Sequence, residues 1–337
     1  MSLGPILVEI LRGDLVESRH HGAFAVADAH GGTLHQAGDT LAPVFPRSAI
    51  KPLQALPLIE SGTADALNLG IEALALACAS HGGEALHTEK VGAFLASGGF
   101  SESDLECGTH PPLSAEAATA LAIKGAKPCQ LHNNCSGKHA GFLCTARHLG
   151  EEPKGYIART HPVQARVIRT VSEMTGLDLD HAPSGIDGCG IPVVALSLAG
   201  MALAMARLAD PIGLHDERRH AATRVLTAMT AQPELVDQSP GMVVDVMRAG
   251  AGAIALKPGA EGVFTAALPR LGLGLALKIE DGTSRAAQLA VITLLDRLGA
   301  FDEEQREGLR RHLEPPLLNA GGRLVGTLRP STAFPSR

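Results

Sequence analysis

The sequence predicts a mixed α/β (α+β) fold, with a central sheet flanked by helices and a helical region in the middle of the chain. Three observations predict it. Short apolar runs broken by Gly-rich turns open the chain. The middle carries apolar residues at helical spacing. Short strands, a long helix and a final strand close it, so one sheet takes strands from both ends. No internal repeat, low-complexity linker or charge block interrupts residues 1–337, which read as a single catalytic-sized unit.

In order, residues 6–38 read as strands, with AFAVAD bounded by His-Gly and Gly-Gly pairs. A helix is predicted to start within FPRSAIKPLQALP (45–57), where Pro52 fits only in a first turn. Residues 63–78, 86–97 and 114–124 have helical spacing, as do 216–230. THPVQARVIRTVSEMTG (160–176) is framed by a Thr-x-Pro start and a Gly stop. The most apolar stretch, 191–210, reads as a buried helix opened by Pro192; Arg207 and its short uncharged part argue against a membrane span. Residues 248–299 predict two or three strands, an Asp-Gly turn and a long helix, and 315–332 a last strand.

The core must be built from Ala, Leu, Val and Ile, because the chain has eight Phe, one Tyr and no Trp. A net charge of −6 without a basic run, and the lack of aromatic stacking platforms, exclude a nucleic-acid partner. The N-terminus lacks the basic and apolar regions of a signal peptide, so a soluble cytoplasmic protein is expected. Its six cysteines are read as thiols of a reducing compartment, and no C-x-x-C pair marks a zinc ribbon.

Four strings concentrate reactive side chains. In FPRSAIKPLQALP, Ser48 and Lys51 fall on one helical turn, so the amine can reach the hydroxyl. Such a pair works as nucleophile and base only if the lysine is neutral, which burial favours. A bare S-x-x-K arises by chance about once in a chain this long. The second string, ACASHGGEALH (77–87), places Ser80 and His81 where a tight turn is expected to expose them. The third, LHNNCSGKHAGFL (131–143), is the densest, and SGIDGCGIPVV (184–194) adds Cys189 between glycines. Cys135 and Cys189, with a nitrogen from Lys138, His132 or His139, make a candidate zinc site; chemistry alone prefers a histidine, since a lysine must first lose its proton. The fourth, LKPGAEGVF (256–264), puts Lys257 at a strand end ahead of Pro-Gly. This resembles the K-T-G element of penicillin-binding proteins and β-lactamases in arrangement, although no clear S-D-N is present.

Taken in order, these strings resemble the Rhizobium-type (class 3) L-asparaginases, from about residue 5 to 330. The resemblance implies a serine β-lactamase/penicillin-binding-protein-like fold, a homodimer, and hydrolysis of L-asparagine to L-aspartate and ammonia. It implies two Ser–Lys pairs, Ser48 with Lys51 and Ser80 with Lys257. It also implies a zinc ion near the substrate, held by Cys135, Lys138 and Cys189, and so replaces the histidine preference. Ser48 is the preferred nucleophile. Arg47, His81 and Asp187 are the candidate substrate-binding residues, with Arg47 as a carboxylate anchor.

Two departures stand out. SHGGEALH replaces the family's Ser-His-x-Gly-Glu-Pro-x-His pattern. VDQSPGMVVDVM (236–247) replaces a Gly-Thr-Gly-Arg-Phe-type segment, leaving Gly241 about where an arginine is usual. Two other functions therefore stand beside the leading one: a related amidohydrolase preferring glutamine or another amide, and a non-catalytic zinc- or amino-acid-binding protein.

Overall fold

A computed structural model describes residues 4–336. Three strands open the chain, β1 (Ile6–Arg12), β2 (Leu15–Asp28) and β3 (Thr33–Ala37). A 3-10 turn at Arg47–Ile50 runs into α1 (Lys51–Gln54) and α2 (Leu56–Glu60), and Pro52 does fall in a first turn. Then come α3 (Thr63–Ala66), α4 (Ile71–Ala77), α5 (Ala85–Ser97), α6 (Ala115–Ile123), α7 (Ser136–His148) and α8 (Pro162–Thr175). The expected helix over 63–78 is thus two helices, because the chain turns at Leu67–Gly70. Short strands β4 (Ser184–Ile186) and β5 (Pro192–Val194) precede α9 (Leu198–Ala209), α10 (Asp216–Ala231), α11 (Pro233–Val236) and α12 (Met242–Gly250). The chain closes with β6 (Ala255–Pro258), β7 (Val263–Leu268), β8 (Leu273–Ile279), α13 (Ser284–Arg297), β9 (Pro316–Leu318) and β10 (Leu324–Pro330), besides short helical turns.

Pro192 does not open a helix. It lies in β5, which pairs with β4, and the helix begins six residues later behind Ser197, whose hydroxyl accepts from Gly200 N at 3.0 Å. An apolar run looks alike in a buried strand and a buried helix; the β-branched cluster Ile191, Val193 and Val194 favours the strand. No helix among the described residues is long and apolar enough to cross a membrane.

The chain divides into two compact units. The first takes residues up to Ala49, Leu196–Asp210 and everything from Asp245 on. It holds an eight-stranded sheet in the order β6-β7-β8-β2-β1-β10-β9, with β3 also paired to β2. All its pairings are antiparallel, so strands from both ends of the sequence share one sheet. Helix α9 lies on β2, β7 and β8, and α13 lies on β1, β8 and β10. The contact with α9 is close because Ala202 and Ala206 face it and Gly274 has no side chain. A Cβ at Gly274 would collide with the Ala202 carbonyl and the Ala206 amide. Small residues replace aromatic bulk here, as the composition requires.

The second unit, Ile50–Ala195 with Pro211–Val244, is mainly helical. Helix α4 packs against α5, α7, α10 and α11. Buried Arg218 on α10 pairs with Glu60 at the end of α2 and reaches Glu173 on α8 at 3.0 Å, tying three helices through one guanidinium. At the α4–α7 contact, a Cβ on Gly137 would meet the Leu76 carbonyl and come within 2.9 Å of Leu76 Cβ. The glycine after Ser136 therefore lets the start of α7 close onto the end of α4. That approach brings the second and third reactive strings together.

Candidate active site

The central residue of the second unit is Lys51. It is fully buried, and its Nζ reaches the Ala79 carbonyl, the Asn134 carbonyl at 3.3 Å and Ser80 Oγ at 3.0 Å. The carbonyls can only accept, so they take N–H groups. The third direction faces a hydroxyl that can either accept or donate. Ser80 itself is fixed by its backbone N–H, which donates to Val236 O at 2.8 Å, while its side chain stays partly exposed.

The loop after Ser80 is buried, contrary to the expected exposed turn. His81 is fully buried: Gly83 N–H donates to its Nδ1 at 3.2 Å, so the ring proton lies on Nε2 and is donated to Ser136 Oγ at 2.9 Å. Ser136 in turn donates to Leu131 O at 3.1 Å. His81 stacks on His87 with centroids 4.9 Å apart. Burial, reinforced by His87, Lys51, His110 and His132, holds His81 well below the usual imidazole range. This candidate substrate contact is thus a neutral brace between the Ser80 loop and the start of α7.

The zinc candidates also converge. Lys138 Nζ donates to Cys189 Sγ at 3.3 Å, and all three of Cys135, Lys138 and Cys189 are buried. The neighbouring Cys189 thiol, with the Lys51 and Lys138 amines, holds Cys135 well below the ordinary thiol range against the effect of burial. Cys135 in turn, and burial, push Cys189 up. By contrast Cys107 and Cys144, also buried, are pushed up to about 12. Burial pulls Lys138 down, but Cys189, Cys135 and Asp187 outweigh it and its amine is raised overall. Asp187 begins the turn that presents Cys189, accepting from Gly190 N at 2.9 Å. Asn133 Oδ1 accepts from Cys135 N at 2.9 Å and fixes the other sulfur.

Two sulfurs and one amine are a donor set that zinc takes, and its fourth position would fall to an exogenous ligand. His139 is buried too: its Nδ1 bonds Tyr156 Oη at 2.7 Å, which also accepts from Glu106 N at 2.9 Å, and its Nε2 has no hydrogen-bond partner among the described residues. Among the described residues, no group of three or more His, Cys, Asp or Glu side chains is arranged for a metal. The third donor in the candidate set is a lysine.

Arg47, Ser48 and Lys257 belong to the first unit. Lys257 is fully buried on β6, directly opposite Thr265 on β7. Paired residues share a sheet face. Thr265 Oγ1 donates to Ala49 O at 2.7 Å, so Lys257 lies on the face that receives the Ser48 turn. Gly259 makes the same approach, since a Cβ there would fall 2.7 Å from Pro46 O and 3.1 Å from Ala49 N. Arg47 has φ +51°, left-handed geometry that is unusual for arginine and costs backbone strain. Within the units, then, Lys51 meets Ser80 and Lys257 lies with the Ser48 turn. The S-x-x-K spacing alone does not convey this arrangement. The sequence also missed Ala79 and Asn134, which act through carbonyl oxygens and have no side-chain signature; the crowded Asn133-Asn134-Cys135 string was the available hint.

Comparison with known sequences assigns this chain to a family. The sequence profile described as L-asparaginase II matches residues 8–330, and the chain belongs to that family. Comparison with curated proteins finds no match. Among solved structures, Mglu in its native form matches 84 % of this chain and 66 % of its own at 17 % identity and TM-score 0.47. Mglu in its glutamate form matches 83 % and 61 % at 16 % identity and TM-score 0.48. The chain therefore spans less than two thirds of the length of these Mglu chains. A β-lactamase from Mycobacterium bovis matches 82 % of this chain and 94 % of its own at 15 % identity and TM-score 0.34. One fold hosts many chemistries, so function is argued from the site.

Proposed function

We propose that this protein hydrolyses L-asparagine to L-aspartate and ammonia through an acyl-enzyme on serine, with lysine as the base. The observation that carries the reading is the set of hydrogen bonds around Lys51. With two carbonyls taking N–H groups, the third direction on Lys51 Nζ faces Ser80 Oγ, and the unprotonated amine would direct its lone pair there. Ser80 Oγ attacks the side-chain amide carbon while Lys51 takes the hydroxyl proton. The tetrahedral adduct collapses, the C–N bond breaks, and Lys51 returns the proton to the departing ammonia. Water then attacks the ester, Lys51 accepts its proton, and Ser80 regains hydrogen as aspartate leaves. This moves the preferred nucleophile from Ser48 to Ser80.

Ser48 and Lys257 are proposed as the second Ser–Lys pair, and Arg47 as the anchor for the substrate carboxylate. Cys135, Lys138 and Cys189 are proposed to hold zinc, and the chemistry a bound zinc supplies there is an electrophilic anchor for a substrate oxygen. The family resemblance also supports a homodimer. Gly241, in place of the usual arginine, favours a second reading in which another amide such as glutamine is preferred.

The test is ammonia release from asparagine and from glutamine, with a slowly deacylating ester analogue mapped by mass spectrometry. Label on Ser80 supports the assignment, and label on Ser48 overturns it in favour of the other serine. Turnover of glutamine alone selects the second reading. No ammonia from either, with Ser80→Ala unchanged in zinc or amino-acid binding, leaves a non-catalytic binding protein.

A further inference from the structure

Gln54 closes α1, three residues after Lys51, and is buried. Its Oε1 has no hydrogen-bond partner although solvent does not reach it. An unpaired buried acceptor is costly, and native structures usually satisfy one with protein or ordered water. Gln54 lines a small cavity of about 10 Å³ together with Lys138, Thr145, Phe142, Val167 and Arg166. That is about the size of a single water site, and such a water needs two to four polar partners. The wall offers them. Thr145 donates its hydroxyl proton to Gly141 O at 2.8 Å and so presents a free lone pair. Arg166 is committed to Glu151 across the α7–α8 loop. Lys138 gives one N–H to Cys189, which leaves at least one more to donate whether or not its lone pair is engaged by a metal.

We propose that Gln54 is a positioning residue for Lys138. One water in this cavity accepts from Lys138 Nζ and donates to Gln54 Oε1 and Thr145 Oγ1. The bridge holds the lysine stem from behind, so that the amine stays beside the sulfurs of Cys135 and Cys189, where its lone pair would serve the ion they share. A lysine has four rotatable bonds and is a poorly preorganised metal donor; an outer partner that fixes its orientation supplies what a histidine ligand gains from its second ring nitrogen. Gln54 and Lys51 share one short helix, so the proton-transfer lysine and the support of the metal-binding lysine are positioned together.

This inference rests on the zinc reading for its consequence but not for its geometry, and the experiment separates the two. A high-resolution crystal structure of the full chain is expected to show a water within hydrogen-bond distance of both Gln54 Oε1 and Lys138 Nζ. A dry cavity, or a water touching only one of them, overturns the bridge. Zinc affinity of the metal-stripped protein, measured by competition with a coloured chelator, is expected to weaken about 10- to 100-fold in Gln54→Met. Val167→Ala alters the same cavity without touching a polar group and is expected to leave affinity within about threefold. Equal loss in both variants, or none in Gln54→Met, refutes the positioning role. A wild-type protein that takes up no zinc refutes the metal reading, and the crystallographic water then decides the bridge alone.

Discussion

Lys51 Nζ lies 3.0 Å from Ser80 Oγ, and the other acceptors it reaches are backbone carbonyls supplied by the chain just before Ser80 and just before Cys135. The amine is held by two loops that are 55 residues apart in His81 and Ser136, which themselves bond to each other. Groups that act as one unit lose their effect together. Ser80→Ala and Lys51→Met are each expected to lower kcat by about a thousandfold or more, and the double variant by no more than the worse single one. Steady-state ammonia release from the three variants checks this. Multiplying losses would show that the two side chains act separately.

The same two loops meet only because Gly137 lets α7 close on α4. Gly137→Ala puts a methyl against the Leu76 carbonyl, a backbone atom that cannot swing aside as a side-chain tip can. The expected cost is about 1–3 kcal/mol, as for other overpacked core sites. Activity should fall with it, since the shift separates Asn134 from Ala79 around Lys51. Urea titration at constant m-value gives the stability change. An unchanged midpoint would mean that the contact is looser than described.

Arg47 invites a substitution in which fold and function respond in opposite directions. Its φ of +51° suits glycine, while alanine keeps the strain. Arg47→Gly is expected to be more stable than Arg47→Ala by about 1 kcal/mol. Both should raise KM for asparagine by about 10- to 100-fold, the worth of a charge-assisted bond to the substrate carboxylate. Melting and initial-rate measurements on the pair separate the effects. Equal stabilities would remove the strain argument, and an unchanged KM would remove the anchor.

Much of the fold was legible because it depends on local pattern. Pro52 in a first turn, Gly176 as a left-handed stop after α8, and the β7–β8 hairpin followed by the Asp281-Gly282 turn all follow from the short-range preferences of their residues. The helix placed at Pro192 was lost because an apolar run has no period of its own. The burial of His81 was equally hidden, since His-Gly-Gly reads as a surface turn until Ser136, far along the chain, supplies a partner. The reactive residues were legible by type, and Cys135, Lys138 and Cys189 do come together. The link from Lys51 to Ser80 has no local signature, because the two lie 29 positions apart with α2, α3 and α4 between them.

The buried histidines give the protein a pH dependence of known sign. His81 is held well below the usual imidazole range, chiefly by burial, with His87, Lys51, His110 and His132 acting in the same direction. His87 is lowered as well, again by burial, although its bond to Glu234 O and the nearby Glu84 partly oppose this. Both rings are therefore neutral in the fold at pH values where the unfolded chain already binds protons. Their contribution is fully present above the unfolded pKa, and it is lost as the pH falls below that value toward the folded one. Stability should decline below about pH 6.5, by up to about 1.4 kcal/mol per pH unit for each histidine. Urea midpoints at pH 7.5 and 5.5 measure the slope, and His81→Gln is expected to reduce it by removing one of the two titrations. A stability that stays level or rises on acidification would show that these rings are protonated in the fold, and the bond from Gly83 N–H to His81 Nδ1 would then be lost.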